Sequence, residues 1–367
     1  MPDAFHAMIG RLIVAGVRGA AHGDSTLEAD LEACRSCAVK GIVLFDVDAP
    51  SMAARLARGE PADAARANAV RNIINPAQTK ELIEHIRHAL GAGAWVAVDQ
   101  EGGRVARLRP ERGFLPSLPA RDFARLEPVE QAAEADRQAR QLADLGFRVN
   151  FAPCVDLAIN PENPVIAKHG RAFSDDPGVV TGCAEVFIGA HRRRRIITCI
   201  KHFPGHGSAG ADSHLGLVDV TRLADPPREL LPFRNLIRAG MADMVMTAHI
   251  LNRSIDPVHP ATLSPAFIND ALRRDLGYHG VVITDSLDMR ALADSCSLEE
   301  SVVRALNAGV DLLLHAFNAP PGGPAEQTHP APRIHEAISR ALRDGRIAGG
   351  RDRILASARR VDRLFTQ

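Results

Sequence analysis

Short, nearly unbroken apolar runs recur along the chain, each followed by a longer stretch whose apolar positions repeat at helical spacing. The runs cover residues 11–17, 41–45, 95–99, 148–152, 196–201, 244–247, 281–284 and 311–314. A strand that faces solvent on one side alternates apolar and polar residues. A continuous apolar strand is what a parallel sheet covered on both faces requires. The intervening stretches carry helix signals. Ser25-Thr-Leu-Glu28 reads as a capping box opening a helix to about Val39. Ser264-Pro265 reads as an N-cap with proline at the first helical position, and Gly277 closes that helix. Residues 128–145 and 178–193 are further helices, and 333–365 read as two closing ones. Eight strands alternating with helices predict an α/β fold of the (β/α)8 TIM-barrel type, a single catalytic domain over residues 1–367; a doubly wound open sheet is the structural alternative.

Two segments interrupt the alternation. Residues 46–72 form a long polar and alanine-rich insertion after the second strand, with one helical stretch near 62–70. Residues 319–332 are rich in Pro and Gly and read as a flexible surface loop.

Composition narrows the function. Lys plus Arg equals Asp plus Glu at 44 each, so no electrostatic footprint for nucleic acid or an anionic membrane surface is expected. No stretch is long enough to span a bilayer, and no secretory signal is read at the N-terminus. The six cysteines sit in apolar or helical contexts and read as reduced, which fits a cytoplasmic protein. Cys34 and Cys37 form a Cys-x-x-Cys pair, read as one turn of an ordinary helix because no second pair accompanies it.

A barrel places its chemistry at the C-terminal ends of its strands. Here Asp99 ends the third run, Lys201 and His202 the fifth, His249 the sixth and Asp285 the seventh. The polar loop after the fifth run, Lys201-His-Phe-Pro-Gly-His-Gly-Ser-Ala-Gly-Ala-Asp-Ser-His214, concentrates ionisable groups between glycines. A carboxylate fixed at a strand end, such as Asp285, suits a nucleophile aimed at a sugar's anomeric carbon. Asp212 and His214, two apart on a turn, suit a hydrogen-bonded pair in which the imidazole donates and then recovers a proton. A metal site built from His202, His206, His214 and Asp212 lacks a regular ligand spacing, so no metal and no cofactor is expected.

These segments resemble a known family. Val98-Asp-Gln-Glu-Gly-Gly-Arg-Val105, Val149-Asn-Phe-Ala-Pro153, Gly170-Arg-Ala-Phe-Ser-Asp-Asp-Pro177, Lys201-His-Phe-Pro-Gly-His-Gly207, Asp212-Ser-His214 and Val282-Ile-Thr-Asp-Ser-Leu-Asp-Met289 are similar, in order, to the signatures of glycoside hydrolase family 3. Within it they most resemble single-domain bacterial β-N-acetylglucosaminidases of cell-wall recycling. The resemblance implies a retaining exo-enzyme acting on small N-acetylglucosamine glycosides such as muropeptides. Asp285 would be the nucleophile, His214 the general acid/base and Asp212 its partner. Asp99, Arg171, Lys201 and His202 would grip sugar hydroxyls, while Arg104 would be structural. The chain departs from the family at Thr284-Asp-Ser-Leu-Asp-Met289, where a second acid, Asp288, is displaced, and at the 46–72 insertion. The chain length leaves no room for the second α/β domain on which some relatives depend, so it is expected to supply its own proton donor. An aromatic content of 4% argues against a long polysaccharide cleft. A phosphorylase, a β-glucosidase or β-xylosidase of the same family, and a non-catalytic sugar-binding barrel stay open as alternatives.

Overall fold

The computed structural model describes residues 4–212, 216–318 and 328–366. Eight parallel strands make one sheet: β1 (Ile13–Gly16), β2 (Gly41–Val43), β3 (Trp95–Val98), β4 (Val149–Asn150), β5 (Ile197–Phe203), β6 (Met244–Thr247), β7 (Val281–Ile283) and β8 (Leu313–His315). They follow in chain order from β1 to β7, and β8 returns to pair with β1. A parallel bridge between Ile283 and Leu312 joins the last seam and closes the cylinder. The apolar runs are continuous because both faces of every strand are buried. Val14, Val43, Ala97, Val149, Cys199, Met246 and Ile283 belong to one core cluster, inside the barrel; their sequence neighbours Ile13, Ile42, Val96, Ile200, Val245 and Val282 belong to the layer under the helices. The last helix, Gly350–Thr366, sends Phe365 onto the Trp95 ring, 5.0 Å between centroids, and so plugs one end of the barrel.

The expected helices are present with shifted ends. The first long helix runs Ser25–Ser36, not to Val39, and Ala38 stands at φ 57° just beyond it. Its cap is Asp24, not Ser25: the carboxylate accepts from Thr26 N and Leu27 N, while Glu28 reaches back to Gly23 N. A charged acceptor one residue upstream outcompetes the serine hydroxyl. Ser264 makes no side-chain cap either; the segment Ala266–Asp275 is wound as a π-helix starting after Pro265. Pro128–Leu145, Pro177–Arg193 and the two closing helices Ala331–Arg343 and Gly350–Thr366 match expectation.

The insertion holds two helices rather than one, Ala49–Ala57 and Ala62–Asn68. Residues 319–327 of the expected surface loop lie outside the described residues. Its end is packed, not loose: His329 is buried and its Nε2 donates to Gly16 O at 3.0 Å. None of the six cysteines is in a disulfide. Among the described residues no helix is long and apolar enough to cross a membrane.

Candidate active site

The strand ends deliver their polar residues to one cavity of about 500 Å³ at the barrel mouth. Asp99, Glu101, Arg171, Lys201, His202, His206 and Asp285 all line it, with Met52 and Leu56 of the insertion on another side.

Asp99 immediately follows β3. The next peptide is clamped from β4: Asn150 Oδ1 accepts from Gln100 N at 3.0 Å, and Asn150 Nδ2 donates to Gln100 O at 3.0 Å. Both polar groups of residue 100 are thereby held, which fixes the carboxylates on either side, Asp99 and Glu101. Asn150 is oriented in turn by His191, whose Nε2 lies 3.2 Å from Asn150 Nδ2 while Nδ1 donates to Phe187 O at 2.8 Å. Phe187 O can only accept, so Nδ1 carries the proton. Burial pushes the His191 pKa down to about 4, which keeps the ring neutral.

From these anchors a chain of alternating charge crosses the mouth. Lys201 Nζ donates to Asp99 Oδ1 at 2.9 Å and is 2.7 Å from Glu101 Oε1. Arg171 holds Glu101 bidentately, Nε to Oε2 and Nη2 to Oε1, each 2.8 Å. Arg171 Nη2 also meets His202 Nε2 at 3.2 Å. The other nitrogen, Nδ1, donates to Asp156 Oδ2 at 2.6 Å. Asp156 is fully buried and additionally accepts from the backbone N–H of His202 and of His206.

Electrostatics follow from this pairing. Burial alone would raise Glu101, yet Arg171 and Lys201 overrule it and hold the carboxyl well below the usual carboxylate range. Burial alone would lower Lys201, yet Asp99 and Glu101 keep it above its ordinary value and charged. Asp156, raised by burial, is pulled far down by His202 and its hydrogen bonds. Burial takes His206 down to about 4, so that ring is neutral at physiological pH.

Asp285 stands just past β7. Its own N–H donates to Thr247 O at 3.2 Å, and its Oδ1 accepts from Ser286 N at 2.7 Å, which fixes the carboxylate's direction. His249, also a strand-end residue, does not line the cavity; its Nε2 donates to Ser286 O at 2.9 Å and so supports the turn that carries Asp285. The displaced acid Asp288 binds Ser286 Oγ at 2.5 Å and Asn318 N at 3.1 Å, tying that turn to the segment after β8.

The His-rich loop is pinned in its first half. Residues 205–209 are buried, with Asn163 Nδ2 donating to His206 O and Glu229 accepting from Ser208 N. Gly207 lies so close to the chain that a Cβ there would stand 1.8 Å from Leu157 O. Residues 205–209 are thus held in place by packing and hydrogen bonds. Asp212 is half-buried, and its charge acts on His169. His214 lies outside the described residues. Arg104 is exposed and does not line the cavity.

Sequence reasoning missed Glu101, Asp156 and Asn150. Glu101 was hidden inside the Asp-Gln-Glu-Gly-Gly block, overshadowed by Asp99. Asp156 had a signal: it is the single charge in the apolar run 151–158.

The family model described as glycosyl hydrolase family 3 N terminal domain matches residues 53–364. A beta-hexosaminidase A of Pseudoalteromonas piscicida is 36% identical over 264 residues, 66% of this chain and 44% of that protein. A beta-hexosaminidase of Tolumonas auensis is 35% identical over 251 residues, 68% of this chain and 74% of that one. Among solved structures, a glycoside hydrolase family 3 beta-N-acetylglucosaminidase from Paenibacillus sp. superposes with a TM-score of 0.79 at 30% identity, covering 98% of this chain and 61% of its own. A beta-N-acetylhexosaminidase from Beutenbergia cavernae superposes with a TM-score of 0.78 at 25% identity, covering 100% and 99%. The chain thus spans less than half the length of the first of these relatives and about three quarters of the second.

Proposed function

Because the chain belongs to glycosyl hydrolase family 3, we propose that it is a retaining exo-β-N-acetylglucosaminidase that releases a terminal N-acetylglucosamine from short β-glycosides of the muropeptide type. In the first step an Asp285 oxygen bonds to the anomeric carbon, the C1–O bond to the leaving group breaks, and His214 gives its proton to the departing oxygen. In the second step water adds to C1, its proton passes to His214, and Asp285 is released. Asp212 orients His214. Asp99, Lys201, Arg171 and His202 hold the sugar.

The observation that carries this reading is that one cavity collects an oriented carboxylate, Asp285, and a buried, charge-balanced donor and acceptor set from the ends of β3 and β5 and the segment after β4. Lys201 has three N–H groups and spends two on Asp99 and Glu101, which leaves one for a hydroxyl. Arg171 is locked on Glu101 and so presents its remaining N–H in a fixed direction. The two cations are matched by two carboxylates, so the pocket suits a neutral polar sugar. Six cysteines outside any disulfide support a reducing, cytoplasmic setting.

The test is Asp285→Ala assayed on para-nitrophenyl β-N-acetylglucosaminide, with the β-glucoside and β-xyloside alongside. Turnover is expected to fall by at least about 10³-fold, and a fluorosugar is expected to label Asp285 in the wild type, read by mass spectrometry. A folded Asp285→Ala variant with near-wild-type rates rejects the assignment. A faster β-glucoside or β-xyloside rejects the sugar.

A further inference from the structure

Three side chains outside the cavity converge where the loop after β1 meets two helices. His22 belongs to that loop, Glu28 to the first turn of Ser25–Ser36, and His85 to the helix Pro76–Leu90. Gly23 takes φ 85° between the first two, a left-handed turn that brings His22 back over Glu28. One oxygen is the meeting point. His85 Nε2 lies 2.9 Å from Glu28 Oε1, and His22 Nδ1 lies 3.3 Å from the same atom. The three ligand atoms are all within 4.8 Å of one another, and the two imidazole rings stand 4.4 Å apart between centroids. Gly23 N–H donates to Oε1 at 3.3 Å and holds the carboxyl below its ordinary pKa, so the oxygen is charged.

Hydrogen bonding does not account for the cluster. His85 Nε2 is buried and, among the described residues, has no hydrogen-bond partner, although the Glu28 oxygen is so near. A buried ring nitrogen that close to a carboxylate, yet not aligned with it, lacks a partner that would satisfy it. The neighbouring side remains open, because the His22 side chain is 80% exposed. Among the described residues one other trio of this kind exists, Cys154, Asp156 and His202. There the ligand atoms are spoken for: His202 Nδ1 already donates to Asp156 Oδ2, and Arg171 Nη2 stands 3.2 Å from the same ring. Burial also pushes the Cys154 thiol well above its ordinary pKa, which keeps it protonated. A dication there would meet a guanidinium and a neutral thiol.

We propose that His22, Glu28 and His85 form a structural zinc site that fastens the loop after β1 to the helices Ser25–Ser36 and Pro76–Leu90. Two imidazole nitrogens and one carboxylate oxygen suit zinc, whereas calcium and magnesium ask for oxygen alone. Ligand atoms about 2.0–2.1 Å from a tetrahedral zinc stand about 3.3 Å from one another. The two distances to Glu28 Oε1 are already near that edge length, and the exposed His22 has room to close the third. The fourth position would take a water from the open side. None of the three residues lines the cavity, so the proposal stands apart from the glycosidase reading.

The experiment dialyses the full chain against a chelator, removes the chelator, and titrates zinc chloride calorimetrically into wild type, His22→Ala and His85→Ala. One zinc per chain is expected in the wild type, weakened at least about tenfold in each variant. His22→Ala changes an exposed loop residue and keeps the test valid if His85→Ala disturbs its helix. Free zinc at about 100 times Kd is expected to raise the wild-type Tm by about 3 °C, and the same zinc concentration should do much less in His22→Ala. X-ray absorption at the zinc edge should show nitrogen and oxygen at about 2.0–2.1 Å and no sulfur. No zinc uptake, equal affinity in wild type and His22→Ala, or an unmoved wild-type Tm would each overturn the proposal. So would sulfur at about 2.3 Å, which would transfer the metal to Cys154.

Discussion

Glu101→Gln keeps the shape of the side chain and deletes one charge at the centre of the network. Glu101 is 8% exposed, Arg171 7% and Lys201 2%, so the three groups have little water to fall back on. Without the carboxylate, Arg171 loses both of its charge-assisted bonds to it, and Lys201 keeps only Asp99. Breaking a buried ion pair by removing one partner costs about 3–5 kcal/mol, because the charge left behind stays desolvated. Unfolding entropy of about 2.1 cal/mol/K per residue gives about 0.8 kcal/mol/K for a chain of this length, so Tm should drop by about 4–6 °C at neutral pH. Differential scanning calorimetry reads this directly.

The loss is also pH-dependent. The folded-state pKa of Glu101 is depressed, so its stabilisation is present above its ordinary value of 4.5 and fades as pH falls toward the folded value. Between pH 4.5 and pH 3 the gap between wild type and variant should narrow by about 2 kcal/mol. Glu101→Gln/Arg171→Met removes both ends of the pair and leaves Lys201 with Asp99, so it should recover part of the lost Tm rather than add to it. A Glu101→Gln variant within about 1 °C of wild type at pH 7, or a gap of equal size at pH 3 and pH 7, would show that the network does not act through charge.

Two further predictions concern the loop that carries the candidate acid/base. Glu229 is buried, and burial raises its pKa to about 7, with weaker opposition from its hydrogen bonds to Asp225 N and Ser208 N. A carboxyl with a raised folded pKa contributes stability that is complete below 4.5 and is lost as pH climbs through about 7, here about 3 kcal/mol. A pH series of thermal melts should show that decline in the wild type and its absence in Glu229→Gln; parallel curves for the two proteins would contradict it. Gly207→Ala would place a methyl group 1.8 Å from Leu157 O, backbone that cannot rotate aside, whereas Gly210→Ala would meet only Leu223 Cδ1 at 3.5 Å. Gly207→Ala should therefore cost about 1–3 kcal/mol and displace the loop, with a loss of kcat/KM, while Gly210→Ala stays near wild type; equal behaviour of the two variants would remove the packing argument.

The sequence by itself determined the barrel and which polar residues stand at its strand ends. Side-chain direction alternates at every residue of a strand, so an unbroken apolar run already states that both faces are covered. The polar residue that follows such a run is then carried toward the mouth, although what packs on it decides whether it reaches the cavity, as His249 does not. Asp99, Lys201, His202 and Asp285 were legible for that reason. What only the tertiary structure decided is which charge meets which. Lys201 lies 102 residues from Asp99, Arg171 lies 70 from Glu101, and Arg66 lies 20 from Asp46. No local pattern encodes those pairings; the first two arise when closure of the sheet brings distant strand ends around one cavity, and the third when the insertion helix packs back on Asp46. The same closure made Glu101 and Asp156 the buried anchors of the site, put His249 behind it as a support, and left the insertion's Arg66 facing the pocket, because each outcome depends on what the fold packs against a side chain and not on its neighbours in the chain.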